Sequence, residues 1–300
     1  MILYKFNGAG NDFLIADNRF GDVGLDRFDI VDLCDRHYGV GADGVMILGA
    51  GRGEYDFTMD YYNSDGSGGM MCGNGGRCIV AFASYLGLEP SSADGRWRFL
   101  APDGSHEAFI LEALGRKTKI VRLKMKDISD IKDCPSVSSD PKTSGWFVDT
   151  GTRHFVTFVP SGVDAAFVDS KGRVLRNAGE FAPLGVNVNF VCEGNPLRVR
   201  TFEKGVEAET CACGTGIVAS AAASFLEGVE PSAVCGENGS VHYDVRALHD
   251  SLAVDFVPSA SARSLSGKQE SVAIDASDAY FTDVWLTGPA SFVAEVNVIL

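Results

Sequence analysis

The chain has 300 residues, about two domains' worth of polypeptide, and at 45% hydrophobic and 22% charged it lies far from the composition of disordered chains. Forty acidic residues against 26 basic ones leave a net charge of -14, a field that repels phosphate backbones and anionic lipid and so argues against nucleic-acid and membrane partners. No apolar run approaches the roughly 18 residues of a membrane span and the opening MILYKFNGAG lacks the marks of a signal peptide, so a cytoplasmic protein with its eight cysteines reduced is expected.

In chain order, period-2 patterns rich in β-branched and aromatic residues predict strands at 2–6, 13–16, 45–48, 57–62, 120–125, 155–159, 188–192, 197–202 and 284–286. Three segments carry a helical period instead: Arg27 to Asp35, Gly76 to Leu86 (GRCIVAFASYL) and Gly216 to Leu226 (GIVASAAASFL). The last two are apolar nearly all round, which predicts central burial. Glycines gather at 39–53, 66–76 and 205–216, as turns at sites would. The serine-rich, aperiodic stretch 257–279 reads as a surface loop inserted among the last strands.

The two apolar helices open an internal duplication. Met71-Cys72-Gly73-Asn74-Gly75 precedes the first and Ala212-Cys213-Gly214-Thr215-Gly216 the second. Tyr62-Asn63 answers Phe202-Glu203, Gly39-Val40 answers Gly185-Val186, and Gly8-Ala9-Gly10-Asn11-Asp12-Phe13 answers Thr150-Gly151-Thr152-Arg153-His154-Phe155. Four blocks in one order at a spacing of about 140 residues indicate a duplicated domain. The expected organisation is two similar α+β domains: 1–117, with 288–300 returning to it, and 118–287, which carries the 257–279 insertion.

Cys72 and Cys213 carry the chemistry. A cysteine followed by Gly-Asn-Gly or Gly-Thr-Gly and a long apolar helix sits at a helix N-terminus, where main-chain N–H groups and the dipole favour a thiolate. The glycines read as openings through which a ligand carboxylate or phosphate approaches those donors. One such motif per repeat suggests two thiols facing one ligand in an interdomain cleft. Stereoinversion needs that pairing, because one group removes a proton from one face of a carbon acid while the other returns a proton to the opposite face. Main-chain donors at both helix ends would stabilise the enediolate formed between the two steps. Cys78, inside the first apolar helix, reads as core. Cys211-Ala212-Cys213 lacks zinc spacing, so no metal is expected, and Gly8-Ala9-Gly10 lacks the continuation of a nucleotide loop.

The blocks FNGAGNDFLIAD, RHYGVGADGVMIL, NSDGSGGMMCGNGGRC, GVNVNFV, EKGVEAETCACGTG and VWLTGPASFV resemble the diaminopimelate epimerases, from one end of the chain to the other apart from 257–279. The resemblance implies two pseudo-symmetric domains, each a mixed sheet wrapped around a central helix, and no cofactor. It implies a small-molecule substrate, diaminopimelate, whose LL and meso forms Cys72 and Cys213 interconvert as the acid–base pair. By the same resemblance Asn11, Asn63, Gly73, Asn74, Asn187, Gly214 and Thr215 bind substrate, as does Glu203, which also stands with His154 as a catalytic residue. The sequence admits a homodimer without requiring one. Three positions depart from the pattern of many relatives: Gly44 in place of Gln, Thr152 in place of Asn, and Lys204 in place of Arg. Lys204 stands where a distal carboxylate would be held, and its point charge lacks the bidentate fork of arginine, so a two-cysteine racemase of another amino acid, or a non-catalytic amino-acid-binding module, stands as the alternative.

Overall fold

The computed structural model describes residues 1–69, 71–235, 238–266 and 279–299, and the chain divides into two units, Met1–Lys124 with Thr287–Leu300, and Met125–Leu286. The first unit holds β1 (Ile2–Gly8), β2 (Asn11–Asn18), α1 (Arg27–Cys34), β3 (Gly44–Arg52), β4 (Tyr55–Asn63), α2 (Gly73–Tyr85), β5 (Trp97–Ala101), β6 (Gly104–Leu114) and β7 (Thr118–Lys124). The second holds β8 (Asp130–Cys134), β9 (Gly145–Asp149), β10 (Arg153–Phe158), α3 (Ala165–Arg176), β11 (Asn187–Cys192) and β12 (Leu197–Glu203). It continues with β13 (Ala208–Thr210), α4 (Gly214–Glu227), β14 (Ala233–Cys235), β15 (Ser240–Arg246), β16 (Ser251–Pro258) and α5 (Ala260–Ser266). A last strand, β17 (Phe281–Asn297), begins in the second unit and ends in the first.

In the first unit β1 is antiparallel to β2, β2 parallel to β3, β3 antiparallel to β4 and β4 parallel to β5. The antiparallel series β5, β6, β7 then meets Gly288–Ser291 of β17, and the rest of that strand returns to β1. The pairing closes on itself, which removes exposed strand edges. α2 runs inside this ring, touching β1, β2, β3, β6 and β7, with Gly73 to Ala83 all buried. Its apolar circumference is what makes that position stable: Ile79, Val80 and Phe82 lose all exposure, at roughly 1.5–3 kcal/mol each. α1 packs outside, its Ile30, Leu33 and Cys34 against Leu3, Leu14 and Val45.

The second unit repeats the order of pairings. β10 is parallel to β11, β11 antiparallel to β12, β12 parallel to β15 and β15 antiparallel to β16, as β2 to β6 are in the first. α3 stands in the place of α1 and α4 in the place of α2, so the duplicated motifs fall at equivalent points of two mixed sheets, each around one buried helix. α4 is lined by small residues, Ala219 to Ser224, all buried, while α3 packs Val168 and Leu175 into a core with Phe155, Phe190 and Phe202.

Several elements differ from the sequence reading. Both buried helices begin at the glycines just after the cysteine, Gly73 and Gly214, rather than at Gly76 and Gly216, because the glycine runs form the first helical turn instead of a preceding loop. α3 lies outside the three segments with a helical period, although Asp164 caps it through Phe167 N and its buried Val168 and Leu175 lie on one face. β15 (Val241, Tyr243, Val245 buried) and β16 (Leu252, Val254, Phe256 buried) alternate strictly and are strands beyond those expected from the sequence. Of the stretch read as a 257–279 loop, the start completes β16 and forms α5, while 267–278 lies outside the described residues.

Candidate active site

Cys72 is the N-cap of α2 and Cys213 the N-cap of α4, both with extended backbone and neither with a side-chain capping hydrogen bond. The outer helices differ: Asp26 and Asp164 cap α1 and α3 through their carboxylates. A cysteine at this position keeps its sulfur out of the capping role and beside the positive end of the dipole.

Around Cys72 the first unit builds a chain of polar groups. Asp103 Oδ1 accepts from Met71 N at 3.2 Å and tethers the segment leading into the helix. Asn74, buried, donates through Nδ2 to Asn11 Oδ1 at 2.5 Å, and Asn11 Nδ2 donates to Asp43 Oδ2 at 3.0 Å. Arg77 is fully buried and turns back along α2, Nη2 donating to Asn74 Oδ1 at 2.8 Å and Nη1 to the Gly73 carbonyl at 3.2 Å. Its partners sit in the first helical turn because residues three and four apart share a helix face. The chain ends in ion pairs, with Arg36 reaching Asp12 at 2.7 Å and Asp43 at 2.6 Å and Lys5 reaching Asp12 at 2.7 Å. Burial opposes ionisation of Asp12, but hydrogen bonds from Arg36 and Lys5 hold its carboxyl below the usual range. Asn63, at the end of β4, is exposed and donates to Ser67 Oγ at 3.0 Å. Gly44 pairs with it across β3 and β4, and a Cβ there would lie 2.5 Å from the Tyr62 carbonyl oxygen, so this position has no room for a larger side chain without a backbone shift.

Around Cys213 the second unit gathers hydroxyls and an imidazole. Cys213 Sγ lies 3.4 Å from Thr215 Oγ1, which is 2.9 Å from Thr152 Oγ1 and 3.0 Å from His154 Nε2. His154 is completely buried, and burial drives its pKa from 6.5 down to about 3, so at neutral pH it is an uncharged hydrogen-bonding group rather than a titrating base. Thr152, one of the three departures, thus stands within this group. At the equivalent point of the first unit Asp12 is ionised and paired, so the two halves of the repeat have diverged in charge.

Asn187 accepts from Lys204 N at 2.8 Å through Oδ1, and Lys204 Nζ, exposed, donates to the Leu184 carbonyl at 3.2 Å. Glu203 ends β12 as Asn63 ends β4, and its Oε2 accepts from Thr210 Oγ1 at 3.0 Å. Arg153 points elsewhere, stacking over Phe147 and donating to the Phe181 carbonyl at 3.0 Å. Cys78 is core, its thiol pushed up to about 12 by burial. Among the described residues no group of three or more His, Cys, Asp or Glu is placed to hold a metal ion, and no helix is long and apolar enough to cross a membrane.

Sequence reasoning missed Arg77, Asn189 and Thr201, all buried polar residues inside elements. Asn189 and Thr201 are polar residues within the buried strand stretches NVNFV and VRTF, on the same faces as Asn187 and Glu203. Two glycines of the motifs also have a packing role. A Cβ at Gly216 would lie 2.4 Å from Asn189 Oδ1, and one at Gly75 3.2 Å from Met46 Sδ, so both make room for buried side chains.

The family model for diaminopimelate epimerase matches residues 3–108 and 146–254, one block in each half of the duplication. A diaminopimelate epimerase of Flavobacterium psychrophilum is 34% identical over 301 residues, covering 99% of this chain and 100% of its own. That of Chlorobaculum tepidum is 41% identical over 227 residues, 74% of this chain and 82% of its own. Among solved structures, a PhzF-family phenazine biosynthesis protein of Bacillus anthracis superposes with a TM-score of 0.67 at 12% identity, covering 100% of this chain and 99% of that one. A probable proline racemase of Agrobacterium radiobacter does so with 0.64 at 14%, over 100% and 93%. At such identities the structures speak for the fold alone, a sheet-dominated α+β arrangement. Matched by the family model in both halves and aligned with a relative along nearly its whole length, the chain belongs to the diaminopimelate epimerase family.

Proposed function

We propose that this chain interconverts the LL and meso forms of diaminopimelate, with Cys72 and Cys213 acting on one α-carbon from its two faces. One thiolate takes the α-proton, the carbanion is held as an enediolate, and the other thiol delivers its proton to the opposite face. No atom is gained or lost, and the two sulfurs exchange protonation states with each turnover. The observation that carries this reading is the equivalence of the two cysteines, each the N-cap of a buried helix at the same point of a repeated topology. Main-chain N–H groups of the first turns, at Gly73 and Gly214, are the donors we assign to the substrate carboxylate, where charge develops. Asn11, Asn63, Asn74, Asn187 and Thr215 are assigned to substrate binding with Glu203, and Lys204 to the distal carboxylate. His154 supports Cys213 as a neutral donor.

The test is incubation with LL-diaminopimelate in deuterated water. The expected product is meso-diaminopimelate carrying one α-deuterium. Folded protein that yields neither isomerisation nor exchange overturns the reading, and activity on monocarboxylate-tailed amino acids but not on diaminopimelate would reassign the substrate.

A further inference from the structure

We infer that Asn189 is a positioning residue: it fixes His154 as the Nε2–H tautomer and thereby aims the Thr215 hydroxyl hydrogen at Cys213 Sγ. This rests on the role proposed above for Cys213.

The Phe155 carbonyl oxygen is an acceptor that cannot donate. Asn189, in β11, is fully buried, with Nδ2 3.4 Å from the Phe155 carbonyl oxygen and 3.1 Å from His154 Nδ1. Its Oδ1 accepts from Thr201 Oγ1 at 2.9 Å. Turning the amide over would set two oxygens, Oδ1 and the Phe155 carbonyl, against each other, so the nitrogen must face His154. Nδ1 therefore accepts. A neutral imidazole has one N–H, and burial keeps this one neutral, so its hydrogen is on Nε2.

Nε2–H then faces two hydroxyls, Thr152 Oγ1 at 2.9 Å and Thr215 Oγ1 at 3.0 Å, and can accept from neither. Thr152 Oγ1 donates to Thr215 Oγ1 at 2.9 Å. The hydrogen of Thr215 is thereby directed to Cys213 Sγ, 3.4 Å away. A donor held on the sulfur favours its thiolate over its thiol. Gly216 is the independent sign that this arrangement is built in: a Cβ there would lie 2.4 Å from Asn189 Oδ1 and 3.3 Å from His154 Cε1, so the last glycine of the Cys-Gly-Thr-Gly motif is the space the pair occupies.

The tautomer is read from the ring-nitrogen NMR spectrum of 15N-labelled protein without substrate, with His154 assigned by the signals lost in His154→Gln. The expected signature is a protonated Nε2 and a bare Nδ1, and a protonated Nδ1 in the wild type overturns the inference. In Asn189→Asp the carboxylate can only accept, so Nδ1 should acquire a proton, and an unaltered ring spectrum in that variant also overturns it. The link to sulfur is tested in Thr215→Val, which keeps the shape and removes the donor, by peptide-resolved iodoacetamide labelling across pH. The midpoint of the Cys213 profile should rise by about one pH unit, a tenfold smaller thiolate fraction, with the Cys72 profile unmoved. An unmoved Cys213 midpoint overturns the relay. Neither measurement uses substrate, so an absence of epimerase activity would refute the proposed function and leave this inference to be judged on its own results.

Discussion

Acid should weaken this protein through His154 in a calculable window. The ring is completely buried and its folded pKa falls from 6.5 to about 3, because burial penalises the imidazolium. Between those values the unfolded chain binds a proton that the folded chain refuses, so stability is fully present above pH 6.5 and is lost as pH falls below it. The slope approaches about 1.4 kcal/mol per pH unit, which amounts to about 2 kcal/mol between pH 7 and pH 5. Out of a typical total of about 5–15 kcal/mol this is readily measured. Urea unfolding of the wild type and of His154→Gln at pH 7, 6 and 5 isolates the effect, because other titrations are common to both proteins and cancel. His242, whose pKa is raised mainly by its hydrogen bond to Asp255, has the opposite sign and is removed by the same subtraction. The variant loses hydrogen bonds and starts less stable, but the wild-type advantage should shrink by about 2 kcal/mol over the range. Parallel pH curves for the two proteins would show that His154 is solvated enough to charge inside the fold and would refute the effect of burial.

Three further outcomes are expected. Cys72→Ser and Cys213→Ser should each leave circular dichroism and Tm unchanged and slow LL-to-meso conversion at least 100-fold, the lower end of what a positioned acid or base contributes; wild-type turnover in either variant would refute the thiol pair. Gly216→Ala should cost about 1–3 kcal/mol in urea unfolding, since the new methyl meets Asn189 Oδ1 at 2.4 Å, and an unchanged midpoint would mean that the Asn189 side chain moves aside freely. Lys204→Ala should raise KM for diaminopimelate about tenfold or more while Lys204→Arg retains affinity, as losing a charge-assisted contact of about 1.5–3 kcal/mol requires, and unchanged kinetics in Lys204→Ala would leave this lysine to its Leu184 contact alone.

Local sequence determined much of this protein. The apolar circumference of CIVAFA and IVASAAAS is enough to demand two buried helices, since no amphipathic face is available for solvent. The repeated Cys-Gly-polar-Gly block placed a thiol at the start of each, because backbone donors at a helix end and the residue preceding them are consecutive in the chain. The duplication could be read for the same reason, as four short blocks at one spacing. Tertiary structure decided what depends on partners distant in sequence. The return of 288–300 to the first unit is expected from the sequence, but the strands it joins to close the ring, β7 and β1, are set only by the fold. Arg77 reads as an ordinary solvent-facing residue until α2 is enclosed by strands on several sides. His154 is an imidazole of normal acidity in sequence and becomes neutral only because its burial is complete. Asn189 and Thr201 lie on neighbouring strands, with Phe155 on a third, and only their register sets the direction of the amide and hence the proton of the ring. Helix position is a property of composition over a dozen residues, whereas the protonation of a buried group depends on every atom around it, and those atoms are assembled only by the fold.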